Sequence, residues 1–435
     1  MAKSTMKVRR SAMLRESVAE STLGSGLRSF VYSKPGYVKK AALIVSAYGS
    51  LDTTFDLDGA GPKTTPEGIA HFLEHQLFKK QRGDLLMEYG RFGASANAFT
   101  YYNSTCFYFS TAAEFEPNLE VLLETIFSPW FSEEGVSKEK LIIEQELKMY
   151  LDAPERVIYR NLMESLYTKH PVRNDIGGTV ESIQEIDAAM LERCWRRFYH
   201  PSNLIFVAAG DLDAKDVFAR LERALPRKKY PPVAPIKRFY DDEPRGVGRA
   251  TVEGEAVLSR PQTLLGYKDL VTGNDGCLER DLATTVALDL MFGRSTAWYT
   301  DRYERGLIDD SFSAGYTNEE TFGFTMIGGE SDEPEKLAEE VKAEIRRARG
   351  KSFSKADVER SKRKRIGRYL RSFNAPEEVA FMVMGYAQRG LDPFKVPEAI
   401  DAITPKMMNE RIAECLTDDG VAVSILRPKK KSPAL

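Results

Sequence analysis

Residues 71–75 read His71-Phe72-Leu73-Glu74-His75, and no other stretch of this 435-residue chain constrains its local geometry so tightly. The chain has only four histidines, and two of them stand four positions apart with a glutamate between. On a helix, positions i and i+4 share a face, so both imidazoles can reach one metal ion. Glu74 lies three residues after His71, near the same face, where it can take a proton from water at the metal. This His-x-x-Glu-His order inverts the His-Glu-x-x-His helix of zinc proteases, and it points to zinc-dependent hydrolysis. A pair of structural histidines is the bland alternative, but it gives no reason for the carboxylate between them.

The flanking sequence supports a helix. Thr64-Thr65-Pro66-Glu67 supplies a hydroxyl cap, an early proline and a first-turn glutamate, and Gly83 marks an end. Between them Ile69, Phe72, Leu73, Leu77 and Phe78 recur at helical spacing, giving the helix a buried side. A hydrolytic zinc site needs a third protein ligand and an open position. His170 and His200 each precede a proline, which pushes them out of helix and into turns. The helical run from Ser137 to Tyr150 is richer in candidates. There Glu139 and Glu146 stand two turns apart on a face with Ile142, Ile143 and Tyr150, whereas Glu144 projects elsewhere. We take Glu146 as the ligand and Glu139 as an orienting or electrostatic neighbour, although spacing alone leaves the choice among these glutamates open.

With these residues in place, the chain resembles the pitrilysin family of inverzincin zinc peptidases, and within it the short, bacterial, processing-peptidase-like type. The motif at 71–75 matches the family's metal helix, and Glu139 and Glu146 match its two glutamates, the second of which is the ligand. Asn97-Ala98-Phe99-Thr100 matches the family's Asn-Ala-x-Thr strand. The stretches Gly177-Gly178-Thr179-Val180-Glu181-Ser182-Ile183, Phe198-Tyr199-His200-Pro201-Ser202-Asn203 and Gly210-Asp211 also fit. The resemblance implies Zn2+ held by His71, His75 and Glu146, with Glu74 as general base and Glu139 assisting. It also implies an edge strand, including Ala96, Asn97, Ala98 and Phe99, on which short unstructured peptides lie.

One departure from the family pattern concerns its arginine and tyrosine seven residues apart, which reach substrate. Arg302 keeps the first position, but Asp309 stands at the second. The resemblance therefore implies a zinc-bearing subunit that pairs with a related subunit carrying the arginine and tyrosine. A homodimer in which Tyr316 compensates is the alternative. A non-catalytic scaffold or peptide-binding subunit of the same fold is the rival reading, and it leaves the retained His71, Glu74, His75 and Glu146 unexplained.

At this length a single core is too small, and two domains are expected. A proline-rich stretch at 225–247 reads as a linker between a zinc-binding domain, 1–224, and a related domain, 248–435. Ser137-Lys138 opens a helix leading to Ala153-Pro154-Glu155, and Ser354-Lys355 opens one leading to Ala375-Pro376-Glu377. Aligned on these triplets, Glu146 falls on Arg368, and the second half has no histidine. Strand-like runs at Ala41–Tyr48, Leu204–Ala209 and Thr321–Met326 alternate with helical spacing at Pro117–Phe127 and Glu335–Ala348. The expected class is α+β: two homologous domains, each a mixed, mainly antiparallel sheet packed with helices.

A net charge of −2 argues against nucleic-acid binding. No run approaches the ~18 apolar residues of a membrane helix, and residues 1–22 have no apolar signal core. Cys106, Cys194, Cys277 and Cys415 are scattered and read as reduced structural thiols, so the expected compartment is the cytoplasm. The basic run Arg360–Arg371 reads as a solvated helix face, or else as the lining of a cavity that attracts acidic peptides. The lysine-rich tail after Pro428 reads as a disordered end.

Overall fold

The computed structural model describes residues 6–57, 59, 61–350 and 353–429; the expected disorder of the tail falls almost entirely outside them. The first half builds a seven-stranded sheet from β1 (Lys7–Ser11), β2 (Glu16–Thr22), β3 (Arg28–Ser33), β4 (Lys40–Ser46), β5 (Ala94–Thr100), β6 (Thr105–Thr111) and β7 (Leu204–Gly210). Their order is β1-β2-β3-β7-β4-β6-β5; β3 and β7 run parallel, and every other pairing is antiparallel. The second half builds a five-stranded sheet from β8 (Thr251–Ala256), β9 (Gln262–Asp269), β10 (Ser313–Asn318), β11 (Gly323–Glu330) and β12 (Val421–Pro428), ordered β8-β12-β9-β11-β10. Only β8 and β12 pair in parallel there. The expected α+β class with mixed, mainly antiparallel sheets holds.

The central strands of the first sheet are apolar on both sides because both of their faces are covered. Along β4, Ala42 and Ile44 enter one core while Leu43 and Val45 enter another. On β7, Phe206 and Ala208 alternate with Val207 and Ala209 in the same way. That period of two is the pleat of the sheet, and continuous apolar runs such as LIFVAA are what a strand buried on both faces requires.

The helices that matter below are α1 (Ile69–Phe78), α2 (Glu133–Asp152), α3 (Pro154–Leu166), α4 (Cys277–Phe292), α5 (Lys355–Arg371) and α6 (Pro376–Gln388). They modify the expected domain boundaries. By contacts the chain forms two compact units that change over at Tyr240 and Asp241, inside the expected linker, but each also claims a segment from the other half. Residues 148–174 belong to the second unit, where Ile158 of α3 packs with Ala256 and Leu426. Residues 369–394 belong to the first, where Val379, Ala380 and Val383 of α6 cover Leu43, Val45 and Val207. Contiguous domains of 1–224 and 248–435 would leave one face of each sheet without these helices. The linker is also ordered: Lys237–Arg238 pairs with the short strand Thr54–Asp56, and Glu243 accepts hydrogen bonds from the backbone N–H groups of Thr168, Lys169 and His170.

Helix α1 begins later and ends earlier than its flanking signals predict. Lys63–Thr64 is instead a two-residue strand paired with Thr54 and Phe55, and the helix opens at Gly68, whose φ is 83°. Its C-terminal end leads directly into a small hairpin in which Lys79–Lys80 pairs with Gly83–Asp84. The glycine is required twice over: the left-handed backbone favours it, and a Cβ would lie 2.2 Å from the carbonyl oxygen of Gly177. The Gly177-Gly178 stretch thus packs against the start of α1, and the Ser182 hydroxyl fastens it by donating to the Glu67 carbonyl at 2.9 Å. All four cysteines are buried and free. No helix among the described residues is long and apolar enough to cross a membrane.

Gly68→Ala should destabilise the protein by ~2 kcal/mol or more through combined strain and clash. Gly367→Ala, in open space within α5, should instead stabilise it by roughly 0.5–1 kcal/mol. Chemical denaturation of the two variants beside the parent chain measures both.

Candidate metal centre

Helix α1 lays Ile69, Phe72, Leu73, Leu77 and Phe78 into the core, and this fixes where its remaining face points. His71, Glu74 and His75 are what that geometry presents at the rim. The two imidazoles approach with their Nε2 atoms 3.2 Å apart. Helix α2 brings Glu146 against them, one carboxylate oxygen 3.8 Å from His71 Nε2 and the other 3.4 Å from His75 Nε2. Donor atoms of the three residues lie within 4.8 Å of one another. Two imidazole nitrogens and a carboxylate brought this close together form a donor set suited to zinc.

The orientation of His75 is set from behind. Its Nδ1 lies 2.9 Å from Glu139, a side chain only 4% exposed. With Nδ1–H donating to that carboxylate, Nε2 presents its lone pair toward Glu146 and His71. Glu139 in turn lies 3.8 Å from Lys79, which is anchored at 2.8 Å to Asp84. Burial alone would depress the His75 pKa, but hydrogen bonds to Glu139 and Glu146 outweigh it and raise it to about 9. A pocket that holds a proton so firmly also favours a divalent cation, which competes for the same lone pair. Ile142, expected to share a face with the two glutamates, is half exposed; Ile143 and Leu147 are buried on α2.

Glu74 is not part of this donor set. It is buried, and its Oε2 accepts a 2.6 Å hydrogen bond from the Thr100 hydroxyl at the end of β5. Burial raises its pKa to about 7, an effect that the Thr100 hydrogen bond and the charge of His75 partly offset. A carboxyl poised there can exchange a proton near neutral pH. Thr100 was read only as the end of the Asn-Ala-x-Thr strand, and Lys79 was not singled out from the sequence; both neighbour the candidate site. The position of Lys79, one turn after His75, is the signal that could have identified it.

The other expected site residues are placed less simply. Strand β5 is an edge strand, as expected, hydrogen-bonded to β6 only among the described residues. Ala96 and Ala98 pack with the core that holds α1, on the same side of the pleat as Thr100. Asn97 and Phe99 therefore point to the opposite side: Phe99 neighbours Tyr108 and Phe381, and Asn97 Oδ1 accepts from the Ala98 backbone N–H. What this edge offers a ligand on the metal side is backbone and small side chains. In the second unit Arg302 bonds Asp301 and Glu340 at 3.1 and 2.6 Å, and Asp309 is paired to Arg260 at 2.6 Å. The Tyr316 hydroxyl donates to Asp269 at 2.6 Å and accepts from Arg411 at 3.1 Å. His170 and His200 each begin a 3-10 turn and stay outside the cluster.

Removing the Glu139 carboxylate by Glu139→Gln should weaken zinc binding roughly 10–100-fold. Lys79→Met should weaken it less and in the same direction. Competition against a chromophoric chelator reads both without reference to activity.

Comparison with known proteins identifies relatives of the chain. The family described as Insulinase (Peptidase family M16) matches residues 63–180, which include the whole donor set. The Peptidase M16 inactive domain matches residues 185–365. The chain is 36% identical over 419 residues to a Bacillus subtilis (strain 168) protein named as the uncharacterized zinc protease YmfH, covering 96% of this chain and 98% of that one. A crystal structure of an M16-like peptidase from Alicyclobacillus acidocaldarius superposes with a TM-score of 0.90 at 32% identity, covering 99% of each chain. A protease from Helicobacter pylori shares the fold at a TM-score of 0.80 and 17% identity, over 98% of this chain and 100% of that one.

Proposed function

The chain belongs to peptidase family M16, and on that footing we propose that it is a zinc metalloendopeptidase subunit acting on short unfolded peptides. The observation that carries this reading is the convergence of His71, His75 and Glu146 beside a separately held, buried Glu74. Zinc held by the three ligands would polarise a peptide carbonyl and lower the pKa of water at the site. Glu74 takes a proton from the attacking water and returns it to the departing nitrogen. Thr100 keeps its carboxylate turned toward the strand that borders the site. An extended peptide laid along β5 would be read mainly through its backbone, which suits unfolded substrates of varied sequence.

The arginine–tyrosine function is the part this chain lacks. Arg302 is engaged by Asp301 and Glu340, and Asp309 by Arg260. The Tyr316 hydroxyl is held by Asp269 and Arg411, which weighs against its serving a homodimer. We therefore favour a heterodimer in which a related subunit supplies the pair. The cytoplasm remains our reading of the compartment, on the strength of four free thiols dispersed through the chain.

The test uses unstructured peptides, with this chain alone and with a co-expressed related subunit. Glu74→Gln should reduce kcat/KM about 10²–10⁴-fold while zinc content is unchanged. Chelation should abolish cleavage, and zinc should restore it. Cleavage by Glu74→Gln at the parent rate would sink the assignment, and tight peptide binding without cutting in either assembly would favour a binding subunit.

A further inference from the structure

The second unit contains a counterpart of the metal cleft, and that counterpart is not featureless. Helix α1 closes at Phe78 and α4 at Phe292; His71, Glu74 and His75 precede the first by seven, four and three residues, and Thr285, Leu288 and Asp289 precede the second by the same intervals. Helix α5 opens at Lys355, 222 residues after α2 opens at Glu133, and α6 follows α3 by the same interval, Pro154 to Pro376. That offset puts Ser361 at the place of Glu139 and Arg368 at the place of Glu146. The contact between the helices is kept in kind: Ser361 donates to Asp289 at 2.8 Å, as His75 meets Glu139 at 2.9 Å. Thr285, Leu288, Asp289, Ser361 and Arg368 all line one cavity of about 580 Å³.

The charge of this cavity has the opposite sign. Arg360, Lys364, Arg365 and Arg368 of α5 line it together with Arg294, and Asp289 is its one carboxylate among the described residues; Arg294 and Arg360 are themselves paired with Asp310 and Asp357. Asp289 is already occupied by Ser361 and Lys364, whereas Arg368 has no ion pair among the described residues. A concave site with such a cationic wall focuses an attractive field on anions. Two features favour a peptide over a free phosphate. Phe292 and Phe312 give the cavity an apolar floor, and Ser313 and Ala314, which open the edge strand β10, border it.

We propose that this counterpart cleft binds acidic peptide segments, with Arg365 and Arg368 receiving their carboxylates. The inference deepens the peptidase reading by naming a substrate class, and in that sense rests on it; binding can nevertheless be measured without catalysis. The experiment is fluorescence anisotropy of the full chain with a labelled, unstructured glutamate-rich peptide and its glutamine-for-glutamate analogue. The acidic peptide should bind at least about tenfold tighter at low ionic strength, and the difference should shrink as salt is added. Arg365→Glu combined with Arg368→Glu should remove the preference while leaving the unfolding midpoint unchanged. The milder pair Arg365→Gln and Arg368→Gln should remove most of it. Lys228→Glu with Lys229→Glu, a basic surface pair in the other unit, should leave it intact. Equal binding of the two peptides, equal loss from the Lys228/Lys229 control, or preference for inorganic triphosphate over the acidic peptide would each overturn the proposal. Acidic preference lost with the arginines but without cleavage in any assembly would uphold this site and remove only the peptidase reading.

Discussion

The hydrogen bond between His75 Nδ1 and Glu139 is the contact on which the candidate metal site depends. A histidine on an exposed helix face has two nitrogens and several rotamers, and nothing in the helix itself chooses among them. Glu139 comes from α2, is nearly fully buried, and accepts from only one of the two nitrogens. Once Nδ1 is engaged, the ring plane and the direction of Nε2 follow, and the approach of Glu146 from the same helix completes the donor set. The seven-residue interval between the glutamates matters because it sets two carboxylates of one rigid helix on two sides of one imidazole.

That rigidity rests in turn on packing around α1. Its apolar stripe lies in the core, and its first residue is fixed by the close approach of Gly68 to Gly177. Gly177 also faces the metal side: a Cβ there would stand 3.6 Å from His71 Nδ1 and 2.7 Å from Leu147. The glycine pair lets the 177–183 segment lie beside α1 without displacing the His71 side chain. A motif with no titratable atom in its opening glycines thus bears on the chemistry through space alone.

The sequence revealed the chemistry more fully than the boundaries. The candidate cluster of His71, His75 and Glu146 was legible as a grouping because metal binding needs particular residue types at a helical interval, and such a pattern survives without knowledge of the tertiary fold. The central strands were legible because AALIV and LIFVAA fit a sheet covered on both faces. The start of α1 was misread because Thr64 and Pro66 form a good local cap, yet Lys63–Thr64 gains a strand partner at Thr54 and Phe55. The exchange of α3 and α6 between the units was not legible at all. Helix α3 is amphipathic and α6 is apolar on most sides, and either pattern says that the helix is packed without saying against which sheet. The facing of Asn97 and Phe99 was a matter of strand parity, which the contact of Thr100 with Glu74 decides once the structure is known.

The two clefts together separate what a fold needs from what a reaction needs. In both units a helix ends three residues after a polar group that hydrogen-bonds a second, long helix, His75 to Glu139 in one and Asp289 to Ser361 in the other. The contact joins the helices in either chemical form, so its geometry does not require imidazole or a metal. Arg368 at the place of Glu146 does not suit a dication, since a fixed positive charge stands where a negative one would be needed. The same replacement makes the cleft attractive to anions, because its neighbours Lys364 and Arg365 lie on the same helix. The counterpart frame in the second unit is therefore not neutral ground. Its helices still enclose a cavity, and the side chains lining that cavity decide which charges enter it.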